Sequence, residues 1–182
     1  MRLSRKTLLL IAPLAAALAF PAGSTAAAVT ATGTVTGSIF SNTTSSTPSF
    51  SANLDSGDQT PSYTVALADQ DTRGTGAGWN ATITSTTFTT GTHLLSTTAS
   101  SMTGVTSACS SGTCTNPTNA VGYPVAVPAA GTAPAAVKLF NSAANTGMGI
   151  FTITPTIQVV VPQNSYAGTY TSTVTLAIVS GP

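Results

Sequence analysis

The sequence predicts an all-β protein, an antiparallel immunoglobulin-like β-sandwich of about seven to nine short strands. Three observations predict this fold class. Several segments alternate apolar and polar residues with a period of two, which is typical of strands with one buried face. Threonine and serine make up about a third of residues 29–182, where strand-forming threonine dominates. Turn-forming residues separate the segments, and no helical pattern follows residue 28.

The alternating segments give the expected strands in order. They cover residues 29–39, 50–54, 63–67, 79–84, 137–140, 151–161 and 170–179. The last segment has the clearest pattern, with one apolar face and one largely polar face. Pro155 cannot donate a backbone hydrogen bond, so it is expected to place its strand at an edge, a bulge or a break. Between residues 86 and 134 the pattern weakens, and we expect loops with one or two short strands.

Residues 1–28 are typical of a signal peptide that is removed after export. Arg2, Arg5 and Lys6 form a charged start, an apolar stretch follows, and small residues at 26–28 suit a peptidase. The apolar stretch is shorter than the roughly 20 residues of a membrane-spanning helix, and no later stretch qualifies. We therefore expect a secreted protein whose residues 29–182 form a single domain with no membrane helix.

Charge excludes two classes of partner. Residues 29–182 contain two cations, Arg73 and Lys138, and four aspartates. So few cations cannot neutralise a row of phosphates, which excludes nucleic acid, and they also argue against contact with anionic lipid. No cofactor is expected.

The four aspartates are the candidate metal ligands, at positions Asp55, Asp58, Asp69 and Asp71. Carboxylate oxygens suit calcium if the two loops meet, but the spacing matches no EF-hand loop. Turn formation explains the same residues, and we expect no metal site.

Cys109 and Cys114 predict a disulfide across a tight loop, because close cysteine pairs in exported chains are usually bonded. So small a ring is expected to pin a loop tip and to leave the fold intact when it is removed. Catalysis is not expected. With His93 as the single histidine, and with no nucleophile motif around it, the chain lacks an acid–base pair for covalent chemistry.

Two strings carry a resemblance to a known family. DTRGTGAGWNATIT, which begins at Asp71, and the final YAGTYTSTVTLAIVSGP resemble the two signature regions of the WxL domain family of Gram-positive surface proteins. The likeness runs from about residue 63 to residue 182. Trp79 keeps the first signature without its leucine, and Leu176-Ala177-Ile178 stands where the second Trp-x-Leu belongs, so the chain resembles a divergent member.

The resemblance implies a β-rich fold and a cell-surface protein that associates non-covalently with the wall, through peptidoglycan. The binding candidates that it implies are the signature residues Arg73, Trp79, Tyr170, Leu176 and Ile178. Partners are then cell-wall glycan or other surface proteins. The chain ends at Ser180-Gly181-Pro182 without a sorting signal, which also favours non-covalent attachment.

Two signature residues have structural alternatives. Trp79 can form a glycan platform with Tyr63 or Tyr170, but a core anchor between the sheets is the favoured interpretation. Arg73 can pair with Asp69 or Asp71 to fix the loop before Trp79.

A second function from another class stays open. The alternating residues 29–39 can add to the sheet of a neighbouring subunit, which makes the chain a structural subunit of a surface assembly or coat. The oligomeric state does not follow from the sequence.

Overall fold

The computed structural model describes residues 30–182, so the expected signal peptide at 1–28 and Val29 lie outside the described residues. The chain divides after Thr34 into two units, and the second of them, Val35–Pro182, contains the described strands. That unit is all-β, and its one helical element in the described part is the 3-10 turn Leu54–Ser56. The predicted fold class is confirmed. The ten strands are β1 Phe40–Thr43, β2 Ser62–Thr64, β3 Leu67–Asp71, β4 Trp79–Thr86, β5 Ser100–Thr115, β6 Val125–Ala126, β7 Ala129–Ala130, β8 Val137–Ser142, β9 Met148–Val159 and β10 Val174–Ser180.

The strands form two sheets. The larger has the order β1-β3-β9-β5-β6, with β2 pairing β9 beyond the end of β3. In the smaller sheet β4 is central, with antiparallel β10 on one side and antiparallel β8 together with the short parallel β7 on the other. This arrangement leaves β1 and β10 as edge strands. Asn42 on β1 donates a hydrogen bond to the Leu176 carbonyl on β10, so the two edges lie side by side.

Alternation along β4, β9 and β10 builds the core between the sheets. On β9 every second residue from Phe151 to Val159 is buried, and on β4 Trp79, Ala81 and Ile83 are buried. These residues belong to one apolar cluster drawn from both sheets. On β10 the inward Leu176 and Ile178 are half-buried while their neighbours are exposed, as the period-two pattern predicts.

The structure corrects three predicted segments. Residues 30–39 form no strand; they are exposed, and β1 begins only at Phe40. Residues 50–54 form no strand either, and they lead into the 3-10 turn. Asn53 caps this turn by accepting a hydrogen bond from the Asp55 amide. The segment 63–67 is divided between β2 and β3. Residues 30–39 alternate in sequence, but their side chains pack on no apolar surface of the described residues. The alternating pattern alone therefore does not produce a strand.

The middle region is expected to form loops with one or two short strands, and it contains the short strands β6 and β7, but it differs in one respect. It contains β5, a strand of 16 residues that pairs along β9. The outer half of β5 is exposed on both faces, so its sequence has no apolar alternation to reveal it. Backbone pairing with the well-patterned β9 fixes it instead.

Pro155 does not lie at an edge, because β9 is the central strand of its sheet. The carbonyl of Pro155 accepts a hydrogen bond from the Val65 amide, at 3.3 Å. Since the N and C=O of a strand residue face the same side, the missing N–H faces the gap between β2 and β3. The break that the proline requires therefore lies beside β9, between β2 and β3, and not in β9 itself.

The disulfide between Cys109 and Cys114 is present, as predicted. It does not pin a loop tip. It closes a bulge within β5, where the pairing with β9 skips from Ser111 to Thr115. Gly149 on β9 gives the bulge room, because a Cβ at Gly149 would lie 2.9 Å from the Cys114 sulfur.

Replacing Cys109 and Cys114 together with serine is expected to lower the free energy of unfolding by at most about 2 kcal/mol. A ring closed over a sequence separation of 5 removes little chain entropy. Urea unfolding of the double variant measures the loss, and wild type treated with a reductant is the matched control. A loss above about 4 kcal/mol, or a change in the slope of the transition, would show that the bridge organises β5 itself.

Candidate functional site

Trp79 lies in the core at the start of β4. Its indole nitrogen donates a hydrogen bond to the Gly147 carbonyl at 2.9 Å, and its ring centroid lies 5.7 Å from that of Phe140. The side chain is 1% exposed. This is the location that the core-anchor interpretation predicts, and it leaves no ring face for a ligand in this structure.

Two glycines beside Trp79 are required by the packing of the backbone around its side chain. Gly78 has a positive φ of 71°, and a Cβ there would lie 2.5 Å from the Ser142 carbonyl oxygen. Gly147 lies against the indole, since its Cβ would lie 2.7 Å from the indole nitrogen. Both positions exclude a side chain so that the backbone can close around Trp79.

Arg73 fixes the same end of the sandwich. Its Nε and one terminal nitrogen each donate to the Asp71 carboxylate at 2.9 Å, so of the two predicted partners the structure selects Asp71. The guanidinium also donates to the Gly78 carbonyl and to the Ser180 hydroxyl, and it lies 3.9 Å above the Phe40 ring. The hydrogen bond to Asp71 raises the pKa of Arg73. Arg73 thus joins β3, β1 and the end of β10.

Four of the five signature residues therefore lie inside the sandwich or at this end of it. Leu176 and Ile178 face inward opposite Ile83 and Ala81, and Arg73 is 18% exposed. Tyr170 lies beyond the other end of β4, before β10 begins. An eight-residue strand separates the two ends by roughly 25 Å. A binding role for the five residues stays a prediction, and they do not form one surface.

The aspartates do not come together. Within residues 30–182, no group of three or more His, Cys, Asp or Glu side chains could hold a metal ion. Asp71 binds Arg73, and the Asp58 carboxylate accepts a hydrogen bond from the Gln163 amide at 2.8 Å. The two-loop arrangement that calcium requires is therefore absent from the described residues.

Asp69 is unusual among them. It lies on the inward face of β3 and is 2% exposed, and neither carboxylate oxygen has a hydrogen-bond partner within residues 30–182. Burial disfavours the charged form and raises the pKa of Asp69 to about 7. Asp69 is therefore a buried carboxyl group whose charged form is disfavoured in the folded protein.

A cleft of about 700 Å³ lies at the end of the sandwich opposite Trp79. This volume is in the usual range of small-ligand sites. Its walls are the segment before the 3-10 turn and the segment before β10, and residues 48–54, 88, 95, 161 and 165–172 line it. None of these residues is charged. We call it the aromatic cleft, because Phe50, Phe88, Tyr166 and Tyr170 line it.

Three rings of the aromatic cleft pack against other aromatic rings. The Phe50 ring stacks on Tyr63 at 6.0 Å and meets Phe88 edge-on at 5.4 Å. Burial raises the pKa of Tyr63 to about 12, and the ring is 8% exposed, so Tyr63 supports the cleft from the core. Tyr166 is 64% exposed and stacks on the His93 imidazole at 3.7 Å.

A second hollow adjoins the aromatic cleft across Thr171 and Ser172, which line both. We call it the hydroxyl groove. It measures about 440 Å³, and most of its lining side chains are hydroxyl-bearing, namely Thr86, Thr87, Thr89, Thr97, Thr171, Ser172 and Thr173. Hydroxyl groups both donate and accept hydrogen bonds, so the groove suits a polyhydroxy ligand.

Sequence reasoning identified Tyr170 but missed Phe50, Phe88 and Tyr166 as site residues. The three missed rings lie outside the strands, on segments far apart in the chain. Phe88 and Tyr166 carry the one signal, since aromatic residues that fit no alternation are free to line a cleft. Phe50 carries none, because it belongs to the alternating segment 50–54.

A two-sheet sandwich with a cleft that is lined by rings and hydroxyls, with no charged side chain among the described lining residues, has the features of a binding module. The chain belongs to the WxL domain family, described as a surface cell wall-binding domain, whose model matches residues 33–182. The protein is therefore a cell-surface protein of the wall-binding type. No curated protein and no solved structure gives a significant match. Within the described residues, no helix is both long and apolar enough to cross a membrane.

Proposed function

We propose that the protein is secreted and associates non-covalently with the cell wall through peptidoglycan, without catalysing a reaction. The family match over residues 33–182 carries this proposal, since the family is described as surface cell wall-binding. The charge balance supports it as well. Two cations against four acids in residues 29–182 do not favour a polyanionic ligand, whereas glycan strands offer uncharged sugar rings.

Cosedimentation with washed cell walls tests the proposal. The purified protein is expected in the wall pellet and is expected to be released by boiling in detergent, because no covalent bond is formed. A blank of buffer without walls shows whether the protein pellets by itself. Protein that stays in the supernatant at every salt concentration would contradict wall binding.

The alternative, a structural subunit of a surface assembly, keeps one motivating observation. Val35 is 98% exposed and Ile39 is 51% exposed, although their segment forms no strand within the chain. Such a segment can pair with the edge of another copy. Light scattering at rising protein concentration tests this, and a strict monomer that binds walls would remove the alternative.

A further inference from the structure

We propose that the aromatic cleft is the wall-binding site and that it takes uncharged sugar rings of the wall glycan in preference to anionic wall polymers. This inference rests on the proposed function and names its site and its ligand class. It also places the binding role at the end of the sandwich opposite the buried Trp79, and of the five signature residues it keeps Tyr170 in that role.

Tyr166 gives the cleft an accessible, fixed ring. One face of the ring is covered by His93, at an interplanar angle of 10°, while the side chain remains 64% exposed. The Tyr170 hydroxyl donates to the Tyr166 carbonyl at 3.0 Å, which holds the two tyrosines in one loop. A ring fixed before binding loses little conformational freedom when a sugar stacks on it.

The hydroxyl groove supplies the polar half of the site. A sugar ring has an apolar face and a rim of hydroxyl groups, so a complementary site needs a ring beside donors and acceptors. Thr171 and Ser172 lie between the two hollows, and Thr173 continues the groove. A chain of sugars can therefore lie with one unit against Tyr166 and the next along the threonines.

Charge distinguishes this ligand from the anionic polymers of a wall. Among the described residues, no charged side chain lines either hollow. Of the two cations in residues 30–182, Arg73 is bound to Asp71 at the far end, and Lys138 lies on β8. A polyphosphate therefore meets no Lys or Arg of residues 30–182 at the aromatic cleft. Binding through uncharged contacts is also insensitive to salt, because there is no ionic attraction to screen.

Three single variants test the site. Tyr166→Ala removes an exposed ring and is expected to weaken binding to washed walls about fivefold or more. Tyr166→Phe keeps the ring and is expected to bind within about twofold of wild type. Val179→Ala is the matched control, since Val179 is an exposed apolar residue of β10 at the Trp79 end of the sandwich. Circular dichroism of each variant establishes that it is folded.

The ligand class is tested on walls stripped of anionic polymers by hydrofluoric acid. We expect wild-type binding to survive stripping, to stay constant up to about 1 M NaCl, and to be displaced by excess β-1,4-linked N-acetylglucosamine tetramer. Binding lost on stripping, reduced by salt or not displaced by the tetramer would overturn the inference. Equal binding by Tyr166→Ala and wild type would overturn it as well, while the proposed function stands. If wild type binds no walls, the proposed function fails and this inference fails with it.

Discussion

Replacing Trp79 with alanine is expected to lower the free energy of unfolding by about 3 to 5 kcal/mol. The indole is the largest buried side chain of the described residues, at 1% exposure, and it packs on Phe140. Its removal leaves a cavity, and it also leaves the Gly147 carbonyl without its hydrogen bond. Guanidinium unfolding followed by circular dichroism measures the change.

Trp79→Phe separates the loss of the hydrogen bond from the loss of aromatic packing in the core. It keeps an aromatic ring in the core and loses the hydrogen bond to Gly147, so the expected loss is about 1 to 2 kcal/mol. The folded Trp79→Phe variant is expected to bind walls as wild type does. A folded variant that has lost wall binding would show that the tryptophan contacts the ligand, which contradicts a purely structural role in the core.

The second large effect is a dependence of stability on pH that arises at Asp69. Its pKa is raised from 3.8 to about 7 in the folded protein, so the folded state retains a proton that the unfolded state releases. Below about pH 4 the carboxyl is protonated in both states and has no effect. As pH rises to about 7, the free energy of unfolding falls, by at most about 4 kcal/mol, and above pH 7 this effect is constant.

Asp69→Asn removes the titrating proton and is expected to be more stable than wild type at pH 8 and nearly equal to it at pH 4. Urea unfolding at a series of pH values measures the difference between the two proteins. Asp58→Asn is the matched control, because Asp58 lies at an exposed position and accepts a backbone hydrogen bond. A difference between Asp69→Asn and wild type that does not change with pH would contradict a buried carboxyl that has no hydrogen-bond partner among the described residues.

The sequence predicts those strands that bury one face. β4, β8 and β10 follow from alternation, because their inward residues must pack between the sheets. β5 does not follow, because its outer half is exposed on both faces and is fixed by pairing with β9. Residues 30–39 show the opposite failure, since they alternate without a surface to cover.

The sequence predicts the contacts around Trp79 and Arg73, but of the rings in the aromatic cleft it predicts only Tyr170. The contact between Arg73 and Asp71 is local in sequence, and a lone tryptophan after glycines is readily interpreted as a core anchor. The aromatic cleft is not local. Phe50, Phe88 and Tyr166 meet because the loops at one end of two sheets converge, and no spacing in the chain encodes that convergence.

The most direct test of the proposed binding site is a map of backbone amide chemical shifts while the N-acetylglucosamine tetramer is added to the purified protein. We predict that the shifts change at Tyr166, Tyr170 and Thr171, at one end of the sandwich. The Trp79 indole N–H, which is bonded to Gly147 at the other end, is expected to keep its shift. Changes centred on Trp79 and Arg73, with none at the tyrosines, would contradict binding of the glycan in the aromatic cleft.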